Sequence, residues 1–315
     1  MILGFDIGGT KCAVITADMN DGEIKPLKKE KCATRFDISP EEMIDVLIRS
    51  AENILEGTRP EKIGISCGGP LDSRNGIILG PPNLPGWDEV HISERISRHF
   101  GVPTLLQNDA NACAVAEWKF GAGMGADNMV FLTFGTGLGA GLILNGRLYT
   151  GTNDNAGEAG HIRLERFGPV GYGKAGSFEG FCSGGGIAKL GCSMALEALQ
   201  SGRQPAYFKK GMNESDVTAK AIAEAADAGD ETAINVYRVC GEHLGAGLSV
   251  LIDILNPEKI VIGSVFARSE HLLRKYAEEV IANEALPQAA KCCKIVPAEL
   301  GEKIGDYAAI ATALL

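Results

Sequence analysis

The sequence predicts an α/β fold that is built from a duplicated unit and organised as two domains. The chain has 315 residues, which is long for one hydrophobic core and suits two domains. A short apolar run, a glycine-rich turn, a second strand and a hairpin occur near the start of the chain, and the same succession recurs at 128–149. Because one pattern occurs twice in one chain, we predict an internal duplication.

The first copy of the pattern begins at the N-terminus. Ile2 to Asp6 is predicted to be a strand, Gly8-Gly9-Thr10 a tight turn and Lys11 to Ala17 a second strand. The signal Asn20-Asp21-Gly22 predicts a further turn into a third strand. Glycines without a Cβ let backbone N–H groups approach a phosphate, and the threonine and lysine add a hydroxyl and a charge. An ordinary hairpin turn explains this segment equally well.

The second copy follows the same plan. It consists of strand Met129–Thr133, turn Gly135-Thr136-Gly137, strand Ala140–Leu144, hairpin turn Asn145-Gly146 and strand Arg147–Thr150. These glycines also fit a loose dinucleotide-binding fingerprint, which requires a helix directly after the turn. The next residues indicate a hairpin instead, so we set a dehydrogenase aside.

Other segments predict the packing elements. Ser39-Pro40-Glu41-Glu42 is a helix start with a capping box, and its helix ends near Gly57. Asn75-Gly76 marks a hairpin, and Pro81 to Trp87 is a loop that either lines a ligand site or plugs the core. We also predict a strand at Lys62–Ser66, helices at Ile187–Ser201, Val217–Ala228, Glu231–Leu255 and Ile304–Leu315, and a buried strand at Lys259–Ile262.

Asp109 is the first candidate for chemistry. Apolar residues before it indicate a strand that is ending, and Ala110 to Phe120 indicates a helix. A carboxylate between a strand end and a helix start can accept the proton of a bound substrate hydroxyl. The alternative is that Asp109 only caps the helix, since aspartate is a favoured N-cap residue.

The composition excludes several classes of protein. The net charge is −10, which argues against nucleic acid as a partner because phosphate binding needs a basic surface. Nine cysteines without a regular spacing indicate reduced thiols in a cytoplasmic protein. The chain shows no signal peptide and no apolar run near the ~20 residues that a membrane helix needs, so we expect neither secretion nor membrane binding.

These motifs, in this order, resemble the ROK family of sugar kinases and repressors, which has the actin-like ATPase (ribonuclease H-like) fold. The resemblance covers nearly the whole chain and is specific through the combination of its motifs. They are Asp6 to Lys11, Gln107 to Asn111, Gly135 to Gly137, Gly157 to His161, Glu179, and Asn256 to Gly263. The resemblance implies two domains around a central cleft. The small domain, 1–118 plus 303–315, would carry the first phosphate turn and the catalytic aspartate, and the large domain would be 119–302.

The resemblance also implies a role for each matching residue. Asp109 would be the base that takes the sugar hydroxyl proton. The sugar-binding residues would be Gly69, Asn83, Asn108, Asp109, Glu158, His161 and Glu179. The ATP phosphates would contact Asp6, Gly8, Gly9, Thr10 and Lys11 on one side and Thr136 and Gly137 on the other. Gly263 and Ser264 would contact adenosine, although the family usually has a second glycine at the position of Ser264.

The clearest departure from the family concerns zinc. Many members carry three cysteines that bind a structural zinc ion together with the histidine of the Gly157–His161 motif. The corresponding positions here are Val170, Tyr172 and Ser177. We therefore expect no structural zinc, and we expect packing and hydrogen bonds to orient His161 and Glu179 instead.

The resemblance implies an ATP- and Mg²⁺-dependent hexose kinase, with glucose phosphorylated at O6 as the first choice. N-acetylmannosamine and N-acetylglucosamine are the alternative substrates, and polyphosphate in place of ATP stays open. A sugar-sensing repressor fits less well, because its DNA-binding domain would precede Asp6, which is five residues from Met1. An actin-like structural ATPase should lack the sugar-binding set. The expected partners are the sugar, ATP and a second copy of the chain in a homodimer.

Overall fold

The structure is a computed structural model that describes residues 1–20, 23–209 and 211–315. The predicted turn at Asn20-Asp21-Gly22 therefore falls largely outside the described residues.

The secondary structure alternates strands and helices along the chain. The strands are β1 Ile2–Ile7, β2 Lys11–Asn20, β3 Glu23–Ala33, β4 Lys62–Cys67, β5 Leu71–Asp72, β6 Ile77–Ile78, β7 Thr104–Asn108, β8 Met129–Leu132, β9 Ala140–Leu144, β10 Arg147–Tyr149, β11 Val170–Gly171, β12 Lys174–Ala175, β13 Lys259–Ile262 and β14 Lys294–Pro297. The helices are α1 Pro40–Leu55, α2 Ile92–Phe100, α3 Asp109–Phe120, α4 Phe178–Phe181, α5 Gly184–Gln200, α6 Ala219–Asp227, α7 Glu231–Leu255, α8 Val265–Glu284, α9 Pro287–Cys292 and α10 Ile304–Thr312.

The strand order confirms the predicted duplication. One five-stranded sheet has the order β3-β2-β1-β4-β7 and the other has the order β10-β9-β8-β13-β14. In both, the first strand lies at the centre, the next two in the chain follow on one side, and the fourth and fifth follow on the other. Strand β1 pairs antiparallel with β2 and parallel with β4, and β13 runs parallel to both β8 and β14. This is the predicted α/β fold.

Contacts between Cα atoms divide the chain into two compact units. The first unit comprises 1–127, 141–156 and 299–315, and the second comprises 128–140 and 157–298. The predicted domain division at 118/119 and 302/303 stays a prediction.

The core of the first unit places helices directly on a sheet. Helix α1 starts at the predicted capping box, in which Ser39 and Glu42 exchange hydrogen bonds, and it buries Leu47 and Ile48. On α10, the carbonyl oxygen of Ala309 lies 2.3 Å from where a Cβ on Gly64 would stand. The C-terminal helix therefore touches the backbone of β4, which only a glycine allows.

The core of the second unit is mainly helical. Gly245 of α7 faces α8 so closely that a Cβ would lie 2.5 Å from the carbonyl oxygen of Ala277. A Cβ on Gly247 would lie 2.4 Å from the ring of Phe178. The glycines in α7 thus permit close packing against its neighbours.

Most predicted elements occur, and the differences lie at their ends. Helix α7 and strand β13 have the predicted bounds. Helix α5 begins three residues before the predicted Ile187, because Ser183 caps it by accepting from the Gly186 N–H. A strand, β9, follows the second glycine turn, which confirms the decision against a dinucleotide-binding fold. Among the described residues, no helix is both long and apolar enough to span a membrane.

Candidate active site

The first glycine turn joins β1 to β2 and is held by hydrogen bonds within the first unit. The Gly8 N–H donates to the Lys11 carbonyl at 3.2 Å. Thr34, the residue directly after β3, fixes the turn, because its Oγ1 donates to the Gly8 carbonyl at 2.5 Å and its N–H donates to the Thr10 carbonyl at 3.1 Å. Sequence reasoning missed Thr34. Thr34 could have been identified from its position at the end of the third predicted strand, which lies opposite the turn.

Asn83 lies against the same turn. A Cβ on Gly9 would stand 2.3 Å from the Asn83 carbonyl oxygen, and a Cβ on Gly68 would stand 3.3 Å from its Oδ1. The loop that carries Asn83 is also a plug, since Leu84 and Trp87 are buried in the core. The core-plug reading of Pro81–Trp87 is therefore confirmed, and the reading that it lines a ligand site stays a prediction. The next glycine, Gly69, faces Asn108, whose Nδ2 would be 3.0 Å from a Cβ there.

Asp109 is the first residue of α3, and its neighbour Asn108 is the N-cap. The Asn108 side chain accepts from the Ala110 N–H at 3.0 Å. Gln107 orders this corner, because its Oε1 accepts from the Asn108 N–H at 2.8 Å and from Asn111 Nδ2 at 3.1 Å. The capping role considered for Asp109 thus belongs to Asn108. The Asp109 Oδ1 also accepts from the Ala110 N–H at 2.8 Å, where the positive end of the helix favours a carboxylate.

Asp6 sits in an electrostatically unfavourable place within the first unit. Burial, together with the nearby carboxylates of Asp306 and Asp109, raises the pKa of Asp6 to about 6 against the opposing charges of Lys29 and Lys11. Asp306, at the start of α10, is ion-paired with Lys29. Asp306 was not predicted from the sequence, because no residue near it in the chain indicates that it lies close to Asp6 of β1.

The carboxylates around Asp6 are chemically suited to a hard cation. Oxygen donors are the ligands that Mg²⁺ prefers, and it is commonly held by one or two protein carboxylates, waters and substrate phosphates. In the described part of the chain, no three His, Cys, Asp or Glu side chains are grouped so that they could hold a metal by themselves. The residues present therefore fit a magnesium ion that arrives with a phosphate ligand.

The second glycine turn belongs to the second unit and rests on the start of α5. The Gly135 N–H donates to the Gly137 carbonyl at 2.9 Å. The first N–H groups of α5, from Gly184 and Gly185, donate to the carbonyls of Gly135 and Thr136 at 2.7 and 3.3 Å. These bonds satisfy helix N–H groups that have no partner within the helix.

Glu179 connects this turn to the Glu158–His161 segment. Its Oε2 accepts from the Leu138 N–H at 2.9 Å and would lie 2.7 Å from a Cβ on Gly137. The Cβ of Glu179 would be 3.3 Å from one on Gly160, in the 3₁₀ turn Ala159–His161. The structure therefore brings Gly137, Glu179 and the Glu158–His161 segment together within one unit.

Gly263 and Ser264 also lie beside the second turn. The Val265 N–H donates to the Phe134 carbonyl at 3.0 Å, and the Ser264 Oγ lies 3.9 Å from where a Cβ on Gly135 would stand. Ser264 has φ +48° and ψ −107°, a conformation that favours glycine. This backbone conformation explains why the family usually has glycine at this position.

The predicted site residues fall into two groups, one in each unit. The first unit holds Asp6, Gly8, Gly9, Thr10, Lys11, Gly69, Asn83, Asn108 and Asp109. The second unit holds Thr136, Gly137, Glu158, His161, Glu179, Gly263 and Ser264. The contacts above join members of each group to one another.

Comparisons with known proteins bear on this arrangement. The model of a family described as the ROK family matches residues 2–314. A glucokinase of Thermotoga maritima is 32% identical over 308 residues, which are 96% of this chain and 94% of that protein. An N-acetylglucosamine repressor of Escherichia coli O6:H1 is 30% identical over 258 residues, which are 80% of this chain and 61% of the repressor. A crystal structure of a ROK family glucokinase from Streptomyces griseus in complex with glucose and AMPPNP has a TM-score of 0.76 and 29% identity, and covers 99% of both chains.

Proposed function

The chain belongs to the ROK family, and on that premise we propose that it is an ATP-dependent hexose kinase whose preferred substrate is glucose, phosphorylated at O6. The single observation that carries the proposal is the corner at the end of β7. There Asn108 caps α3 and Asp109 occupies the first helical position, in the unit that also holds the first glycine turn. Similarity to a glucokinase over 94% of that protein's length supports the same activity.

In the proposed reaction, the oxygen of the sugar hydroxyl attacks the γ-phosphorus of ATP, and Asp109 accepts the proton of that hydroxyl. A new P–O bond forms to the sugar, the bond to the β–γ bridging oxygen breaks, and ADP leaves with that electron pair. Most of the rate acceleration in such reactions comes from positioning and charge neutralisation. Asp109 lies at the N-terminal end of α3, where the helix dipole interacts favourably with a carboxylate, and a carboxylate is the group that accepts the proton.

We assign the remaining residues by the groups they offer. Gly69, Asn83 and Asn108 in the first unit, and Glu158, His161 and Glu179 in the second, are proposed to bind sugar hydroxyls, since carboxylates accept and amides and imidazole do both. The turns that contain Gly8, Gly9, Thr10 and Lys11, and Thr136 and Gly137, are proposed to bind ATP phosphates. Gly263 and Ser264 are proposed to contact adenosine.

Mg²⁺ is the proposed metal, and Asp6 is the residue that would hold it, directly or through water. When bound, the ion neutralises charge on the transferred phosphoryl group. Lys29 pairs with Asp306, and Lys29 and Lys11 lower the pKa of Asp6 without reversing the effect of its burial. We also propose a cytoplasmic location, which is supported by nine free cysteines.

N-acetylmannosamine and N-acetylglucosamine are the second choice of substrate, and similarity to an N-acetylglucosamine repressor favours testing them. A coupled assay for ADP over a panel of hexoses and N-acetylhexosamines separates the candidates. The highest kcat/KM with glucose is the expected result. The highest kcat/KM with an N-acetylhexosamine would replace glucose in the proposal, and no turnover with any sugar would favour a sugar-responsive regulator.

Asp109→Asn tests the catalytic assignment. The variant should fold and bind glucose, while kcat falls by roughly 10²–10⁴-fold or more, because the general base is lost. The matched control is Asp37→Asn, which changes a carboxylate that is fully exposed on the surface and should leave kcat unchanged. Turnover of Asp109→Asn near that of the parent protein would rule out this role.

Glu158→Gln and His161→Ala test the sugar assignment. Both should raise the KM for glucose much more than the KM for ATP, because a site built to pair hydroxyls is left with unpaired groups. A loss of ATP affinity with unchanged sugar affinity would assign these residues to the nucleotide or to the fold.

A further inference from the structure

The segment His161–Ser177 has a defined structure at the positions where many relatives carry zinc-binding cysteines. Strands β11 and β12 form a hairpin in which Val170 pairs with Ala175 and Gly171 with Lys174. Its two-residue turn is Tyr172-Gly173, with φ of +42° and +76°. Positive φ at both turn residues characterises the type I′ turn, whose twist matches that of the flanking strands. Backbone pairing across a tight turn therefore gives this segment a defined conformation.

Three cationic side chains hold the hairpin to its surroundings. Each donates a hydrogen bond to a backbone carbonyl oxygen: Lys174 Nζ to His161 at 2.6 Å, Arg163 Nη1 to Ala175 at 2.6 Å, and Lys189 Nζ to Val170 at 2.7 Å. An ionised donor strengthens such a bond relative to a neutral one. A tetrahedral metal also ties several points of a loop together, so the three bonds supply the same kind of constraint.

Lys174 is the member of this set that acts on His161. Its ammonium group binds the carbonyl of His161, and the ring of Tyr172 in the same hairpin meets the His161 imidazole edge-on, with centroids 6.4 Å apart. Two residues of one hairpin thus contact both the backbone and the ring of the histidine.

The other end of the hairpin leads to Glu179. Ser177 is buried, and its Oγ accepts from the Gly180 N–H at 3.1 Å, which caps α4. The Phe178 N–H donates to the Ile162 carbonyl at 2.8 Å. The residues around His161 and Glu179 are therefore joined by a continuous hydrogen-bonded path.

We propose that Lys174 is a positioning residue for His161, and that the hairpin and its cation-to-carbonyl bonds take the place of a structural metal in this chain. The inference rests on the proposed function, in which His161 binds the sugar. Lys174 acts through His161 and contacts no substrate.

The test replaces Lys174 by methionine, which keeps the length of the side chain and removes the donor. The KM for glucose should rise roughly 3- to 10-fold, the range expected for the loss of one charge-assisted hydrogen bond at a partly exposed position. The KM for ATP and kcat should stay within about twofold. Lys174→Arg restores a cationic donor and should return the glucose KM toward that of the parent protein.

Matched controls separate this role from general stabilisation. Lys189→Met removes a hydrogen bond of the same kind at the Val170 end, without a contact to His161, and should change the glucose KM less than Lys174→Met does. Lys220→Met removes a lysine that is 86% exposed and should have no effect. Equal increases for Lys174→Met and Lys189→Met, or no rescue by arginine, would overturn the positioning role.

Metal dependence supplies the second readout. Protein purified without a metal-binding tag should contain no stoichiometric zinc, and treatment with a chelator followed by added Mg²⁺ should leave the glucose KM unchanged. Stoichiometric zinc, or a glucose KM that rises on chelation and recovers with zinc, would overturn the inference. His161→Ala tests separately the proposal that His161 binds the sugar. If this variant leaves the glucose KM unchanged, the proposed sugar contact is wrong. If it raises the KM and Lys174→Met does not, only the present inference fails.

Discussion

Asp6 shows at the scale of one residue how a site can be prepared for a charged ligand at a cost to stability. Its carboxyl is largely buried, and two further carboxylates, Asp306 and Asp109, raise its pKa. Ionised Asp6 is therefore disfavoured until a cation is nearby. Magnesium that arrives with ATP supplies that cation in the proposed reaction.

The stability of the protein should depend on pH through Asp6. Its pKa is raised from 3.8 to about 6 in the folded state, so the folded state binds more protons than the unfolded state between these values. The contribution of Asp6 to stability is present below pH 3.8 and is lost as the pH rises through about 6, a loss of about 3 kcal/mol. Asparagine at position 6 cannot titrate. The free energy of unfolding of Asp6→Asn, relative to that of the parent protein, should therefore increase as the pH rises through this window.

Denaturant-induced unfolding at pH 4.5 and pH 7.5, without nucleotide or Mg²⁺, checks this expectation. The advantage of Asp6→Asn should be larger at the higher pH. A difference that is constant with pH, or that grows toward low pH, would contradict the raised pKa.

Ser264 illustrates backbone strain beside the second turn. It has φ +48° and ψ −107°, and its Oγ accepts from Arg268 Nη2 at 3.2 Å on the surface. Ser264→Gly removes the steric cost of the Cβ, which stabilises the folded state by about 1–3 kcal/mol. Glycine also increases the entropy of the unfolded chain, which cancels about 0.5–1 kcal/mol of that stabilisation. We expect a net gain of about 1 kcal/mol in the free energy of unfolding.

Ser264→Ala is the matched control, because it removes the hydroxyl and retains the Cβ. It should give no gain in the same unfolding experiment. An equal gain from alanine and glycine would assign the effect to the hydroxyl and not to the backbone.

At the scale of elements, Glu117 fastens the helix that begins with Asp109. Its side chain is 0% exposed, and its carboxylate accepts three backbone N–H bonds. These come from Ala122 at 2.9 Å, Glu299 at 3.2 Å and Leu300 at 2.9 Å. The bonds join the C-terminal end of α3 to the segment that leads into α10, where Asp306 begins its approach to Asp6. The buried Glu117 carboxylate therefore links α3, which begins with Asp109, to the segment before α10, which carries Asp306.

Glu117→Gln should destabilise the protein by about 2–4 kcal/mol, because the amide group of glutamine places a donor against a buried N–H donor and leaves both unsatisfied. The measurement is the free energy of unfolding in denaturant. Glu224→Gln changes a helical glutamate that is 67% exposed and should cost less than about 0.5 kcal/mol. A loss for Glu117→Gln as small as that of the control would show that the three N–H groups have other partners.

The sequence predicted these elements where the signal was local. Helix α7 has its predicted bounds because Asp230 caps its start and Pro257 follows its end, and the strand after each glycine turn follows from its run of apolar residues. The strand-to-helix corner of the candidate site was predictable for the same reason, since Asn108 and Asp109 adjoin in sequence; its role in binding and catalysis stays a prediction. Thr34, Glu117 and Asp306 were missed because their partners lie 26, 182 and 277 residues away. No local pattern encodes contacts over such separations, so they emerge only from the folded chain.

At the scale of the whole molecule, the two copies of the sheet have diverged in how they hold their glycine turns. The first turn is held by Thr34, which directly follows the third strand of its own copy. The second is held by the first N–H groups of a helix, α5, that the first copy lacks at this position. The strand order is the same in both copies, while the groups that hold each turn differ.

A homodimer is the prediction for the assembled protein, and it rests on the resemblance to the family. Light scattering at micromolar concentration should report twice the chain mass of 33.2 kDa. Dilution over two decades, followed by the same measurement and by assay of activity, shows whether the dimer is needed for turnover. The mass of a single chain at micromolar concentration would refute the prediction.

The contact between Gly64 and α10 has a consequence for the order in which the protein is made and folded. Strand β4 belongs to the first sheet, yet the helix that covers its backbone is Ile304–Thr312, more than 240 residues later. On the ribosome, residues 1–108 would therefore emerge with one face of their sheet uncovered, whereas 157–298 form a continuous stretch of the second unit. Folding in such chains tends to proceed by units as they emerge. The later-synthesised unit should consequently be complete first, and the sheet of the earlier strands should be completed only when the last helix is added.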